Sequence, residues 1–145
     1  MNGEKRLIAV ITGTRAEYGI FRTVIRAIEN HPNLDYTIIV TGMHLLDRFG
    51  NTIHIIEEDG YKIGARVQGI LKEDPDMPAS MAKALGREII GMADAFEKLQ
   101  PDLVIADASA QAPLAGQFEA QLKGVPVVFV GAVKYADVST SIRML

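Results

Sequence analysis

The sequence predicts an α/β fold in which a doubly wound, mostly parallel Rossmann-like sheet is flanked by helices. Two observations predict it. Short, continuous apolar runs alternate with longer segments whose apolar side chains recur every three to four residues. An apolar run without polar alternation is typical of a strand that is covered on both faces, as parallel strands are. The repeated order of strand and then helix is the doubly wound pattern, with right-handed crossovers by default.

The first half of the chain contains three predicted strands, at residues 7–11, 36–40 and 61–67. Between the first two strands, apolar side chains at helical spacing predict an amphipathic helix that ends near Pro32. A short helical stretch over residues 53–56 is closed by an acidic run and Gly60. We expect this acidic run, residues 57–59, to be a solvated helix end.

The second half continues the alternation. A proline-marked loop over residues 68–78 precedes a helix that Ser80 is expected to cap. The apolar stripe of this helix is predicted to comprise Met81, Leu85, Ile89, Met92 or Ala93, Phe96 and Leu99. Residues 103–106 predict the fourth strand. Pro113 suits the first turn of a helix that runs to about Lys123, and residues 125–130 predict the fifth strand.

Composition excludes several functional classes. The chain has 145 residues, of which 48% are hydrophobic and 23% charged, so one compact domain with a real core is expected. The net charge of −3 argues against a nucleic acid as partner, because phosphate neutralisation requires a basic face. With no cysteine, disulfides and thiolate metal sites are excluded, which fits a cytoplasmic protein. No targeting or membrane segment is predicted, and the three histidines lack metal-ligand spacing, so neither metal nor cofactor is expected.

Four segments are expected to meet at one edge of the sheet. Ligands of doubly wound sheets bind beyond the carboxyl ends of the strands. The segments that follow the predicted strands there are residues 12–18, 41–46, 107–113 and 131–141. A ligand site is therefore predicted at this edge.

Two of these segments carry a family resemblance. Residues 12–19 read TGTRAEYG, and residues 40–45 read VTGMHL, followed by GNT at 50–52 and IIEEDG at 55–60. Together they resemble the hydrolysing UDP-N-acetylglucosamine 2-epimerases of sialic-acid-type sugar biosynthesis. Late in the chain, residues 141–143 match a segment that in the family continues into a helix and a second domain.

The resemblance implies one half of a GT-B-like enzyme, in which two Rossmann-like domains enclose the active site. Residues 1–145 would form the single N-terminal domain, without the C-terminal nucleotide-binding domain. The family's reaction removes the C2 proton, eliminates UDP and adds water to release N-acetylmannosamine. For this chain, weak binding of UDP or a nucleotide sugar is expected.

Three residues are candidates for that binding: Thr14, Arg15 and His44. Arg15 follows a strand and a tight turn and stands where the next helix begins, so its guanidinium and the helix N-terminus could share an anion. The alternative is that Arg15 only caps the helix or pairs with Glu17. His44 follows the second strand, and it either lines the site or is structural.

The chain departs from the family at the catalytic positions. After the fourth strand the family carries a Gly-Asp-Arg string with a catalytic Asp and a Glu shortly behind it. Here Ser109 stands where that Asp is expected, and Ala110 and Ala112 replace the Arg and the Glu. After the fifth strand, VGAVK at residues 130–134 replaces a string with a Glu implicated in proton transfer, and residues 131–145 contain no glutamate. Because neither Ser nor Lys can replace a carboxylate as acid and base, native turnover is not expected.

Two origins would explain these departures. One is an isolated domain that was engineered, and the other is a natural relative that has lost the chemistry. The fold-bearing segments stay family-like while the site segments do not, which favours redesign.

A redesigned catalyst offers two candidate residues. Lys134 follows an apolar stretch, and an amine in an apolar pocket has a lowered pKa that favours Schiff-base formation in a retro-aldol type reaction. Tyr135, Ser109 or Asp107 would assist proton transfer, and the alternative is that Lys134 is an exposed loop lysine. Ser109 is the other candidate, as an acyl nucleophile, although no Gly-x-Ser-x-Gly elbow surrounds it.

A non-catalytic α/β module is the competing interpretation. Residues 129–133 and 106–112 are largely apolar and suit a partner surface as well as a pocket. Such a surface predicts a homodimer through the face that meets the second domain in the family.

Overall fold

The computed structural model describes residues 3–107 and 112–130 of the chain, and within the last helix it describes the side chains of residues 115, 116 and 118–123. The strands are β1 (Arg6–Thr12), β2 (Leu34–Thr41), β3 (Ile63–Val67), β4 (Leu103–Ala106) and β5 (Val127–Phe129). The α-helices are α1 (Arg15–Glu29), α2 (Ile53–Glu58), α3 (Pro78–Leu99) and α4 (Ala112–Lys123). Two 3₁₀ helices, Gly42–Leu45 and Asp47–Phe49, follow β2.

The strands form one parallel sheet with the order β3-β2-β1-β4-β5. Ile8 of β1 is paired with Tyr36 on one side and with Leu103 on the other. Chain order reverses between β1 and β4, so this is the topological switch point, where ligands of such sheets bind. The doubly wound prediction is confirmed.

Each face of the sheet has its own apolar cluster. Neighbouring residues of a strand point to opposite faces, so Val10 joins one cluster and Ile11 the other. The first cluster contains Phe21 and Ile25 of α1, and the second contains Met92 and Phe96 of α3. This two-sided cover explains why β1 is apolar at every position from 7 to 11.

The ends of several elements differ from the sequence prediction. The third strand begins at Ile63, not at residue 61, and the fifth covers Val127–Phe129, not residues 125–130. Ser80 does not cap α3, because the helix already begins at Pro78, with Met77 as its N-cap residue and no side-chain cap. Proline suits the first helical turn, since its φ is fixed and its missing N–H is not needed there. Ser80 is buried inside that turn, and its N–H donates to the carbonyl of Met77 over 2.9 Å.

The buried face of α3 is also rotated from the predicted stripe. Met81 is 43% exposed, whereas Ala84, Glu88 and Met92 are buried. Leu85, Ile89 and Leu99 of the stripe are partly buried and only flank the cluster. Met92 and Phe96 of the stripe are fully buried, as predicted, so the prediction was wrong only for Met81. It also missed Glu88, because it counted apolar residues alone.

No helix in the described ranges is long and apolar enough to cross a bilayer.

Candidate functional site at the carboxyl edge of the sheet

The loops that follow β1 and β2 are joined directly. The carbonyl of Gly13 accepts hydrogen bonds from the backbone N–H groups of Met43, over 2.8 Å, and His44, over 3.3 Å. The sequence predicted that residues 12–18 and 41–46 converge, and these bonds confirm it. One continuous surface therefore lies beyond the ends of β1 and β2.

The β1–α1 loop places Arg15 at the first position of α1. Thr14 is the N-cap residue, in an extended conformation, and its side-chain oxygen accepts the N–H of Glu17 over 3.3 Å. The Arg15 side chain is exposed at the start of this 15-residue helix. The alternative pairing with Glu17 is not formed, because the Glu17 carboxylate turns inward and accepts the N–H of Gly13 over 2.7 Å.

Glu17 also connects this loop to β4. Its side chain is buried, and burial raises the pKa of its carboxyl. The hydrogen bond from the Gly13 N–H lowers this pKa, whereas the nearby negative charge of Asp107 raises it. Asp107 follows β4 directly and is itself buried. The ends of β1 and β4 thus bring two buried carboxyl groups into electrostatic contact at the switch point.

His44 is enclosed beneath the same edge, with no exposed surface. Its Nε2 lies 3.0 Å from the Thr12 hydroxyl and its Nδ1 lies 2.7 Å from the Thr52 hydroxyl. Burial lowers the pKa of the imidazole to about 4, so the ring is neutral at pH 7. This geometry favours the structural alternative, in which His44 holds the loops together beneath the surface.

Residues 57–59 are exposed at the end of α2, as predicted, and Asp59 also binds α1. The Tyr18 hydroxyl donates to one Asp59 oxygen over 2.6 Å, and Arg22 binds the other over 3.0 Å. Asp59 therefore anchors the end of α2 to α1. Glu57 pairs with Arg66 on the surface.

A pocket of about 360 Å³ lies beside these loops. It opens between the two 3₁₀ helices after β2 and the loop that joins β3 to α3. Its lining residues are Leu45, Leu46, Asp47, Arg48, Gln68 and Lys72. Every one of them follows the carboxyl end of β2 or β3, so the pocket belongs to the predicted ligand edge. Sequence reasoning located the loops but not the pocket.

Glu88 is a further residue that sequence reasoning missed. It lies on α3 with only 4% of its surface exposed, and its Oε1 accepts a hydrogen bond from the Thr41 hydroxyl over 3.1 Å. Burial raises the pKa of this carboxyl to about 7. The one available signal was its position on the same helical face as Ala84 and Met92.

The two predicted catalytic residues, Ser109 and Lys134, lie outside the described residues, as does Tyr135. Their roles stay predictions. Within residues 3–107 and 112–130, no cluster of three or more His, Asp or Glu side chains could hold a metal ion.

Comparison with known proteins identifies the family. The model of the UDP-N-acetylglucosamine 2-epimerase family matches residues 26–134, which is most of the chain. The chain belongs to this epimerase family. The resemblance seen in the sequence is thereby confirmed, and the matched range extends into residues that the structure does not describe.

Individual epimerases show how much of the family is present. A UDP-N,N'-diacetylbacillosamine 2-epimerase (hydrolyzing) from Legionella pneumophila is 36% identical over 95% of this chain and 36% of its own length. A UDP-N-acetylglucosamine 2-epimerase from Neisseria meningitidis is 31% identical over 77% of this chain and 28% of its own length. The chain therefore spans about a third of the length of the curated relatives it matches.

Solved epimerase structures share the fold. The Neisseria meningitidis UDP-GlcNAc 2-epimerase bound to UDP-GlcNAc has a TM-score of 0.69 at 19% identity, covering 88% of this chain and 32% of that one. The Methanocaldococcus jannaschii enzyme in complex with UDP-GlcNAc and UDP has a TM-score of 0.67 at 24% identity, covering 87% of this chain and 32% of that one. The Rossmann-like architecture is thus shared with about a third of each of these epimerases.

Proposed function

We propose that this chain is the first Rossmann-like domain of a hydrolysing 2-epimerase and contributes a weak nucleotide-sugar site at the start of α1. One observation carries the proposal: the exposed Arg15 guanidinium stands at the N-terminus of a capped helix, at the carboxyl edge of the sheet. A helix N-terminus and a guanidinium both favour the negative charge of a diphosphate. Thr14 shapes this loop as its N-cap, and His44 supports it from below.

The relatives support the ligand class. The names of the matched proteins specify 2-epimerases that act on UDP sugars, one of them on UDP-N,N'-diacetylbacillosamine. Two solved relatives hold UDP-GlcNAc, one of them together with UDP. By this analogy the remaining two thirds of a relative's length would supply the other wall of the nucleotide site. Binding by the chain alone is therefore expected to be weak.

Native turnover is not part of the proposal. Ser109 stands in the position of the family's catalytic Asp, and a serine hydroxyl is not an acid or base of comparable pKa. Whether the replacements arose by engineering or in a natural relative, the same loss is predicted. The chain should therefore release no UDP from UDP-GlcNAc above the uncatalysed background, and measurable release would contradict this part of the proposal.

Calorimetric titration tests the binding site. UDP, UDP-GlcNAc and UDP-N,N'-diacetylbacillosamine should bind to the wild-type chain in the millimolar range. Arg15→Ala should weaken binding at least about tenfold, since a hydrogen bond to a charged group contributes roughly 1.5–3 kcal/mol. Arg6→Ala is the matched control, because Arg6 is also exposed but begins β1 at the opposite edge of the sheet. Absence of binding, or equal effects of the two substitutions, would overturn the assignment.

A further inference from the structure

Glu88 is not among the residues that line the 360 Å³ pocket, but it contacts the chain next to each of the pocket's two walls. One wall consists of the 3₁₀ helices that begin directly after Thr41, and Thr41 donates its hydroxyl proton to Glu88 Oε1. The other wall is the β3–α3 loop, whose Gly69 packs directly on the Glu88 side chain. A Cβ built on Gly69 would overlap with Cγ and Cδ of Glu88, so glycine permits this close approach.

The neighbouring residue of α3 holds the same loop from outside. Arg87 donates to the carbonyl of Gly69 and forms a bidentate pair with Asp74, with both N–O distances at 2.9 Å. Asp74 in turn accepts the N–H of Leu71 over 2.8 Å. The loop is therefore fixed to α3 at two adjacent positions, by an ion pair at Arg87 and by close packing on a buried carboxyl at Glu88.

Among residues 3–107 and 112–130, no cation pairs with Glu88. Arg87 and Asp74 satisfy each other. His44, which follows Thr41, is bound to two threonine hydroxyls. The other ionisable groups of the loop and of the first turns of α3 are exposed: Lys72, Glu73, Asp76 and Lys83.

We propose that Glu88 is a proton-dependent positioning residue that holds the β3–α3 loop closed against the pocket while its carboxyl is neutral and releases the loop when it ionises. A neutral carboxyl accepts a hydrogen bond from the Thr41 hydroxyl, and it can remain in contact with the Gly69 backbone without a large desolvation cost. A carboxylate in the same place has lost its water without gaining a cation from the described residues, which is costly. Opening of the loop rehydrates the carboxylate and leaves the sheet intact.

The direction of the pH dependence follows from burial. Burial raises the pKa of Glu88 to about 7 in the closed form, above the ordinary value of 4.5 expected when the loop is open. Between these values the closed form binds more protons, so closure is favoured at low pH and weakens as the pH rises through 7. From pH 6 to pH 8 the ratio of open to closed loops should increase about tenfold.

Amide hydrogen exchange measures this ratio. Protection of the Leu71 and Asp74 amides, corrected for the intrinsic exchange rate, should fall about tenfold between pH 6 and pH 8 in the wild-type chain. Glu88→Gln keeps an acceptor for Thr41 but cannot ionise, so its protection should be equal at the two pH values. Glu97→Gln, an exposed position on the same helix, is the matched control and should behave as wild type.

A second variant separates this role from a merely structural one. The Thr41 hydrogen bond lowers the pKa of Glu88, so Thr41→Val should shift the midpoint of the protection change to higher pH. Protection that does not depend on pH in the wild type, or a dependence that persists in Glu88→Gln, would overturn the proposal. An unchanged midpoint in Thr41→Val would do the same.

Discussion

The two halves of the sheet differ in how completely their large apolar side chains are buried. On the side of β1, α1 and β2, Phe21 has no exposed surface, and the buried polar side chains of His44 and Glu17 are hydrogen-bonded. On the side of β4, α4 and β5, Phe129 is 52% exposed and Phe118 is 48% exposed. The ligand loops at the edge thus rest mainly on the closed half, while the open half presents apolar surface.

The difference arises at the edge strand β5. A parallel strand is normally covered on both faces, and β5 at the edge of the sheet is not. Of the apolar stretch predicted to begin at Phe129, Phe129 itself is exposed, whereas Val130 is partly buried and packs against the first cluster. Self-association through this face stays a prediction, which sedimentation would check.

The largest expected effect is on the free energy of unfolding, when a phenylalanine in each half is replaced by alanine. Phe21→Ala removes a fully buried ring from the core between α1 and the sheet, so it should lower the free energy of unfolding by about 3–5 kcal/mol. Phe118→Ala, on the open half, should cost less than about 1 kcal/mol. Urea denaturation of both variants provides the measurement. Similar losses would show that the open half is as tightly packed as the closed one.

An intermediate effect on stability is expected when the pH is lowered. The pKa of His44 is lowered to about 4 in the folded state, from 6.5 in an exposed ring. The unfolded chain therefore binds more protons between these values, and the stability supported by the neutral ring is present above pH 6.5 and lost as the pH falls towards 4. The loss from this group should reach roughly 2 kcal/mol at pH 5.

His44→Gln tests this expectation, because glutamine is polar but does not titrate in this range. The variant should be less stable than wild type at pH 7.5, and the gap should narrow at pH 5. His54→Gln is the matched control, since His54 is exposed, and it should leave the pH dependence unchanged. A gap of constant size would mean that folding does not change the pKa of His44.

The smallest effect concerns helix capping. Thr14→Ala removes the oxygen that accepts the Glu17 N–H and should cost about 1 kcal/mol. Met77→Ala changes the N-cap residue of α3, which makes no side-chain cap bond, and should be nearly neutral. Thermal melts of the two variants provide the comparison. If both are neutral, the cap does not contribute to the order of the β1–α1 loop.

The sequence predicted the scaffold because its signals are local. The unbroken apolar run of β1, the helical spacing of Phe21 and Ile25 and the glycine after α2 each fix an element by steric and solvation rules that act within a few residues. The convergence of the loops after β1 and β2 followed from topology alone. Family membership followed from the two motifs, and the comparisons confirm it.

Only the tertiary structure decided what the polar side chains do. Nothing local distinguishes Glu88, buried against Thr41, from an exposed glutamate such as Glu97 on the same helix. Asp59 is likewise one of three consecutive acidic residues, yet it receives a proton donor from α1 across 41 positions of sequence. Burial and pairing depend on which residues distant in sequence approach, and burial raises the pKa of Glu88. The sequence by itself therefore determined the fold and the edge where a ligand would bind, and the packing determined which groups hold that edge in place.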